Sequence, residues 1–458
     1  MKKNCIFTLL IAILGFSSCN FLDQVSPNDI NADGAIRSAA DAEAALLGVY
    51  STLQQGAYYG GQFPLMGEGL SDNATTGGYS YLSLDQIGNK QVTPANALVQ
   101  DLYISMYRTI VNCNYLLRAL PEVTGLEDQR RQEIEAQTRA IRAMAHFDVL
   151  RYFGEHWDEG SAYGIPVIAE VQEITDVPVR ATVSETYSFV IDELKAALAG
   201  INPDDDRVQY VNIHTINGLL ARVYLYKKDY ANAILHANSV ISDSPYSLLD
   251  ATLYGDIFSS RRSSESIFEL AFNKQNRSDF NGLTYSRDDA LRTELFYLAS
   301  ADLNNFFQSR PGDVRAALLD YDVNRNDVTI VPDGRTQKYR GEDSRDNPAY
   351  ILRLAEIYLV RAEAQGRSAG LDDLNLIRTQ RGMQPLAAGD IPTDASFLDA
   401  VLDERRAEFN FEGHRYFDLA RTGRIGSVLN IEEFRGILPI PSNEIATGQG
   451  RMAQNPGY

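Results

Sequence analysis

The chain has 458 residues, 44% of them hydrophobic, and its 61 acidic residues outnumber 42 basic ones to give a formal net charge of −19. So large a negative charge disfavours nucleic acids and other polyanions as partners. The length and the apolar content allow a large buried core and two or three domains.

The N terminus predicts export followed by lipidation. Two lysines precede an apolar run at residues 6–16, which is too short to span a bilayer and is typical of a secretory signal. Two serines stand directly before Cys19, the arrangement that a lipoprotein signal peptidase requires. We therefore predict a lipoprotein signal peptide at 1–18 and a lipidated tether and docking segment at 19–37. Ordinary secretion with an incidental cysteine is the alternative.

Removal of the signal changes the charge and the cysteine content. It takes away two lysines, so the net charge becomes about −21. It also takes away Cys5, and acylation uses Cys19, so Cys113 remains as the single free thiol. Neither an intramolecular disulfide nor a cysteine-rich metal site can then form. Cys113 lies on an apparent helix, where we interpret it as a small buried hydrophobic residue.

Helical periodicity characterises residues 38–247, which we predict to be an N-terminal helical repeat domain. A helix is expected to begin near Ser38, because Asp41 favours a helix start. A further helix is expected from Ala136 to Tyr152, where apolar residues recur on one face. We place it in the same helical layer.

Two segments echo each other in the manner of a tetratricopeptide repeat, a pair of helices packed through small residues. The residues at the offsets of the repeat are Leu220, Ala221, Tyr224, Ala233 and Pro245, and the echo is Leu354, Ala355, Tyr358 and Leu359. Ala237 stands where the repeat usually has a large apolar residue. The two segments are too far apart to be adjacent repeats, so the chain must leave the helical stack and return at residues 348–385.

The intervening residues 248–347 have a different character. Short apolar runs at 266–272 and 328–331 are separated by stretches rich in Asn, Asp, Gly and Ser, which indicates a few strands and long loops. Binding residues tend to lie on such loops when a rigid scaffold carries them. The predicted fold is mainly α, a tetratricopeptide-like helical repeat scaffold with an inserted, irregular, loop-rich domain containing a few short strands.

The sequence lacks the motifs of catalysis and of metal binding. It contains no nucleophile elbow, phosphate-binding glycine loop or dinucleotide fingerprint, and no two of its five histidines have metal-ligand spacing. Asp320, Asp322 and Asn324 alternate like calcium ligands, but Arg325 stands where glycine is needed and Val331 where the bidentate glutamate should be. We therefore predict no enzyme, no metal and no cofactor.

The stretch 403–421 combines charges with aromatic residues. Glu404, Glu408 and Glu412 recur every fourth residue, so on a helix they form one acidic row with arginines beside it. We interpret the row as an ion-pair network held against a core, because unpaired buried charges are too costly to persist. General acid–base catalysis by these carboxylates is the alternative.

This stretch resembles the C-terminal signature of the SusD/RagB family, the outer-membrane nutrient-binding lipoproteins of Bacteroidota. Further matches in the family's order lie at residues 139–142, 152–154, 313–315, 351–364, 438–441 and 454–458. We therefore assign 386–458 as the C-terminal signature segment. The resemblance implies a bundle of repeat helix pairs with an irregular domain laid over it, anchored by lipid on the outer membrane and exposed at the cell surface. It also implies a SusC-like TonB-dependent transporter as partner, over which the lipoprotein sits as a lid.

The loop at residues 71–81 contains what sugar recognition needs, a flat aromatic face for the sugar ring and amide or carboxylate groups for its hydroxyls. The resemblance implies that this loop and loops of the inserted domain form the ligand site. The predicted ligand-binding residues are Asp72, Asn73, Tyr79 and Tyr81 in the loop, and Tyr285, Phe296 and Tyr297 in the inserted domain, with Phe280 as a lesser candidate. An ordinary surface loop with packed tyrosines is the alternative. Trp157, the single tryptophan, is expected to pack rather than to bind ligand.

The expected function is capture of an oligosaccharide or polysaccharide outside the cell and its delivery to the transporter. Oligopeptide binding by the same scaffold is the first alternative, since peptides can be recognised by the same residue types. A surface glycoside hydrolase is a remote alternative, which would need two carboxylates at a defined separation over a cleft. A protein-binding scaffold is a further interpretation, because stacked helical repeats often bind proteins.

Overall fold

The computed structural model of the chain describes residues 34–77, 81–173, 175–243, 245–280, 297–320, 334–339 and 344–458. The predictions for Cys19, Tyr79, Tyr285 and Phe296 fall outside these ranges, as does most of the calcium-like segment. In the part of the chain so described, no helix is both long enough and apolar enough to cross a membrane.

The N-terminal part is helical, as predicted. Its elements are α1 (Ala39–Leu53), α2 (Gln62–Gly69), β1 (Ala74–Thr76), α3 (Leu82–Gly88), α4 (Ala97–Ala119), α5 (Asp128–Phe153) and α6 (Val183–Gly200). α1 begins where the sequence predicts: the Ser38 hydroxyl accepts from the Asp41 amide, and the Asp41 carboxylate accepts from the Ser38 amide at 2.9 Å. This reciprocal cap satisfies backbone donors that the first helical turn leaves open.

Helix α5 forms the centre of the helical layer. Every residue from Ala140 to Phe153 is buried, and the helix packs against both α4 and α6. The charged side chains on it are paired, for example Arg142 with Glu193 of α6 at 2.5 Å. The predicted helix at 136–152 is therefore confirmed, within a longer element. Cys113 of α4 is fully buried, as expected.

The two echoing segments form helix pairs that meet in space. The elements are α7 (Ile213–Tyr226), α8 (Tyr230–Asp243) and α11 (Leu354–Gln380), which is interrupted at Gly366. Each pair turns through a left-handed residue, Lys228 at φ 64° and Gly366 at φ 70°. α8 packs directly against α11. After the insertion, the chain thus forms a helix that packs on the helices before it.

The inserted segment contains short strands and little regular structure. Its elements are α9 (Asp256–Ser259), β2 (Ser266–Leu270), β3 (Tyr297–Ala299), α10 (Ala301–Gln308), β4 (Leu319–Asp320) and β5 (Arg335–Thr336), followed by β6 (Ala349–Arg353). The pairings are β1 with β3, β2 with β6 and β4 with β5, all antiparallel. The β1–β3 pair joins the early loop to the insertion, and the β2–β6 pair joins the insertion to α11.

The C-terminal part carries the acidic row. Its helices are α12 (Asp394–Phe409), α13 (Arg415–Arg421), α14 (Ile425–Leu429) and α15 (Ser442–Thr447). Glu408 accepts from Arg315 of the insertion at 3.1 Å, from Arg353 at 2.8 Å and from Arg381 at 2.9 Å. All of these side chains are buried. The row is therefore part of a buried ion-pair network, whose contacts connect the insertion to α11 and α12.

Glu412 does not continue the helical row, which corrects one detail of the sequence prediction. α12 ends at Phe409, because Phe411 and Gly413 take positive φ values of 61° and 82°. Glu412 still joins the network, with Arg353 Nε donating to its carboxylate at 2.8 Å. A Cβ at position 413 would lie 2.5 Å from the Pro64 Cα, so glycine permits this turn to approach α2.

Candidate functional site

The β1–β3 pair brings the early loop and the inserted domain together. Ala74 pairs with Ala299, and Thr76 pairs with Tyr297. The ring of Tyr297 then lies against α2, where a Cβ at Gly69 would be 2.6 Å from the ring. Glycine at this position therefore makes room for the tyrosine. Two segments that are more than two hundred residues apart in sequence meet at one place as a result.

A cavity of about 390 Å³ opens at this junction. Its volume falls in the range of small-molecule sites, about 300–1,000 Å³. Tyr81, Leu84 and Ile87 line it from the start and one face of α3, and Tyr297 lines it from β3. The remaining lining residues are Gly56, Ala57, Gln62, Leu65, Met66, Leu98, Asp101, Asp279 and Arg345. We refer to this cavity as the tyrosine pocket.

The two tyrosines contribute differently to the tyrosine pocket. Tyr81 is 36% exposed, whereas Tyr297 is only 3% exposed. Burial raises the pKa of the Tyr297 hydroxyl, and the nearby Tyr81 raises it further. The Tyr297 phenol is therefore neutral under physiological conditions. An exposed ring next to a neutral phenol suits the apolar face and the hydroxyls of an uncharged ligand.

Charged groups lie at another part of the pocket wall. A Cβ at Gly56 would be 2.1 Å from Oδ2 of Asp279, so the glycine leaves room for this carboxylate. Burial raises the pKa of Asp279, and the charge of Arg345 opposes that rise. Asp101 adds a second carboxylate to the lining. These groups can accept hydrogen bonds from ligand hydroxyls or amines.

Comparison with known proteins identifies the family. Residues 20–225 match a family model described as starch-binding and associating with the outer membrane, and residues 321–430 match the model of the SusD family. The chain belongs to the SusD family. The stretch 403–421, which carries the signature in the sequence, lies within the second match.

Relatives and solved structures of the SusD family cover nearly the whole chain. SusD-like protein P25 of Formosa agariphila is 22% identical over 100% of both chains. A SusD superfamily protein of Bacteroides thetaiotaomicron has a TM-score of 0.80 and 25% identity, and the match covers 92% of this chain and 100% of that one. A laminarin-binding SusD-like protein has a TM-score of 0.78 and 23% identity, again over 92% and 100%. The mainly helical fold with its insertion is therefore the SusD fold.

Asp72 and Asn73, at the start of the early loop of this SusD-family chain, do not line the tyrosine pocket. Arg415 donates to both carboxylate oxygens of Asp72, at 2.8 and 2.9 Å. Burial alone would raise the pKa of Asp72, but Arg415 and Arg406 hold it below its ordinary value. Asn73 is fully buried, donates to Glu68 at 2.9 Å and accepts from Arg406 at 2.9 Å. Both side chains therefore bind partners within the protein and connect the early loop to the C-terminal signature.

Phe280 also lies away from the pocket surface. It is fully buried, and its ring stacks on Tyr339 with centroids 4.2 Å apart and planes 4° apart. It therefore belongs to the hydrophobic core and does not line the tyrosine pocket. Of the predicted residues that the structure describes, Tyr81 and Tyr297 are the two that line the cavity.

Sequence reasoning missed several residues of the pocket. Leu84 and Ile87 follow Tyr81 at intervals of three, so the helical periodicity of α3 could have placed them on one face with the tyrosine. Asp279 precedes the candidate Phe280, but no pattern distinguishes it from other loop carboxylates. Arg345 has no signal in the sequence. Within the described ranges, no group of three or more His, Cys, Asp or Glu side chains could hold a metal ion.

Proposed function

We propose that the protein binds oligosaccharides in the tyrosine pocket. The observation that carries this proposal is the meeting of Tyr81 and Tyr297, both chosen from sequence for sugar recognition, in one cavity of suitable size. The solved laminarin-binding relative with the same fold supports it. Stacking on Tyr81 and hydrogen bonds to the polar wall would supply the affinity.

The place of this binding in the cell is also a proposal. Cys19 carries the lipid that anchors the chain in the outer membrane, with the body exposed at the cell surface. A SusC-like TonB-dependent transporter receives the glycan. A shallow site with fast exchange suits such a transfer better than very tight capture. The family description, which mentions association with the outer membrane, supports this location.

Peptide binding is the second candidate, because charged residues share the pocket wall with the tyrosines. Asp101 and Asp279 could bind the amino terminus or basic side chains of a peptide, and Arg345 could bind its carboxylate. With a neutral glycan, these three charged side chains would form hydrogen bonds to sugar hydroxyl groups instead. The balance between the two ligand classes therefore depends on which partners these three side chains accept.

Calorimetric titration decides between the candidates. The mature chain is titrated with neutral hexasaccharides, including laminarihexaose, and separately with mixed oligopeptides. Saturable heat with a hexasaccharide supports the proposal, and heat with peptides alone replaces the glycan by a peptide ligand. Because Asp101 and Asp279 both line the pocket, each titrated sample is also assayed for new reducing ends. We expect none, and measurable release would show a hydrolase.

A further inference from the structure

A second cavity, of about 600 Å³, lies where the turns of the two helix pairs meet. It shares no lining residue with the tyrosine pocket. Its walls come from the end of α7, the start of α8, the break in α11, the start of α12 and the end of α13. The lining residues are Trp157, Leu225, Tyr226, Lys228, Tyr230, Glu363, Ala364, Gln365, Gly366, Arg367, Asp394, Phe397, Leu398, Arg421, Thr422 and Gly423. We refer to it as the tryptophan cavity.

Trp157 is the single tryptophan of the chain, and the structure holds it in a defined position. Lys228 Nζ donates to its carbonyl oxygen at 3.0 Å, which ties the loop of Trp157 to the turn between α7 and α8. A Cβ at Gly436 would lie 3.2 Å from Cη2 of the indole, so this glycine leaves room for the ring. The ring of His156 packs on it edge to face at 5.1 Å. Trp157 therefore packs on one side and lines the cavity on another.

Tyr230 supplies a second aromatic face to the tryptophan cavity. It stands at the start of α8 and is 44% exposed, so part of its ring is accessible. Partial burial raises the pKa of its hydroxyl, and the charge of Glu363 raises it further, so the phenol stays neutral. The cavity thus combines a fixed indole with an accessible phenol.

Polar groups of the lining remain available to a ligand. Among the described residues, the structure shows no hydrogen bond to the indole N–H of Trp157, the hydroxyl of Tyr230 or the side-chain amide of Gln365. The indole N–H is a donor only, whereas the tyrosine hydroxyl and the glutamine amide can each both donate and accept. Sugar hydroxyls both donate and accept, so they match such a set.

Four of the five charged groups that line the tryptophan cavity form ion pairs within the protein, and the fifth, Lys228, donates to the carbonyl oxygen of Trp157. Arg421 donates from Nη2 to Glu363 at 2.7 Å and also contacts Asp418 at 2.8 Å. Arg367 lies 3.7 Å from Asp394. Because the charges of Arg421, Glu363, Arg367 and Asp394 are compensated within the protein, the cavity favours an uncharged ligand that offers an apolar face and hydroxyl groups. Such chemistry belongs to neutral saccharides.

We propose that the tryptophan cavity is a second binding site for neutral oligosaccharides, which acts independently of the tyrosine pocket. The proposal does not require that the tyrosine pocket binds sugar.

The single tryptophan makes this proposal directly measurable. Intrinsic tryptophan fluorescence of the mature chain is recorded during titration with laminarihexaose, cellohexaose and maltohexaose. We expect a saturable change in emission with at least one of them, and about a tenfold weaker apparent affinity in Tyr230→Ala. Tyr230→Phe keeps the ring and removes the hydroxyl, so it should bind more tightly than Tyr230→Ala. The unfolding temperature of each variant is compared with that of the original chain, and equal values show that the variant is folded.

Tyr81→Ala separates the two sites. It alters the tyrosine pocket and should leave the fluorescence titration unchanged. The proposal is overturned if no hexasaccharide changes the emission, if Tyr230→Ala titrates like the original chain, or if Tyr81→Ala abolishes the signal. Calorimetric heat without a fluorescence change would retain the tyrosine pocket and reject the tryptophan cavity. A fluorescence change, combined with binding heat that Tyr81→Ala does not alter, would retain the tryptophan cavity and reject the tyrosine pocket.

Discussion

Arg415, in the C-terminal signature, donates two hydrogen bonds to Asp72, in the early loop, at 2.8 and 2.9 Å. Asp72 Oδ2 lies also 3.2 Å from Arg406 of the same signature. The carbonyl of Asp72 accepts from Ser300, which follows β3. This aspartate therefore connects three parts of the chain that surround the tyrosine pocket. Through these contacts the signature holds the start of the early loop in place.

Asp72→Ala should destabilise the fold. It leaves two largely buried arginines short of a partner, and breaking a buried pair in this way costs about 3 kcal/mol or more. The free energy of unfolding, measured with denaturant, tests this. Asp205→Ala is the control, because its partner Arg207 is half exposed and the loss should stay within about 1 kcal/mol. Equal losses in the two variants would contradict a supporting role for Asp72.

Glu408 should be the most sensitive carboxylate of the buried network. Burial alone would raise its pKa, but Arg381, Arg353 and Arg315 hold the pKa well below its ordinary value. Glu408→Gln keeps the shape and removes the charge that these cations share, so we expect a loss of about 3–5 kcal/mol in unfolding free energy. Glu432→Gln should change little, because the Glu432 side chain that pairs with Arg435 is 64% exposed. A Glu408→Gln variant as stable as the original would show that the network adds nothing to stability.

The helical layer and the ion-pair network could be predicted from sequence because their signals are local. Ser38 and Asp41 are three residues apart and cap a helix wherever an apolar stripe follows. Glu404 and Glu408 fall on one helical face by their spacing alone. Because an unpaired buried charge is too costly, these glutamates need cationic partners, but the sequence does not show which arginines these are.

The role of Asp72 and Asn73 could not be predicted in the same way. In sequence they belong to a polar loop, where exposure is the usual expectation. Their partners Arg415 and Arg406 lie 343 and 333 residues away, and no local pattern points to them. The pocket itself depends on the pairing of β1 with β3, two strands of three residues that are too short to show a period.

Gly69→Ala tests the position of Tyr297 in the tyrosine pocket. The added methyl would lie 2.6 Å from the tyrosine ring, so the ring must move and the pocket wall with it. We expect weaker glycan binding together with a loss of stability of about 1–3 kcal/mol. Gly48→Ala is the matched control, because nothing lies within 4 Å of its added Cβ on α1. That variant should be as stable as the original or more stable.

Glu68 gives the fold an unusual pH dependence. Burial raises the pKa of its carboxyl from 4.5 to about 7, although Asn73 and Gly413 donate hydrogen bonds to it. Between these pH values the folded chain holds a proton that the unfolded chain has released, so rising pH removes stability. The stabilisation that the raised pKa of Glu68 gives the folded chain is fully present below pH 4.5 and is lost as the pH rises through about 7.

Glu68→Gln should remove this dependence, since glutamine does not titrate. Unfolding free energies of the two chains are compared across the interval from pH 4.5 to 7. The advantage of the original chain over the variant should shrink as the pH rises. A difference that stays constant across the interval would mean that Glu68 titrates alike in the folded and unfolded chains.

The most direct test of glycan binding in the tyrosine pocket compares two adjacent residues. Tyr81 lines the pocket, whereas Leu82 is 74% exposed and does not. Calorimetric titration of Tyr81→Ala with the hexasaccharide that binds the original chain should give about tenfold weaker affinity, the effect of losing one stacked ring. Leu82→Ala should bind like the original chain. Undiminished binding by Tyr81→Ala would contradict the assignment of the glycan to this pocket.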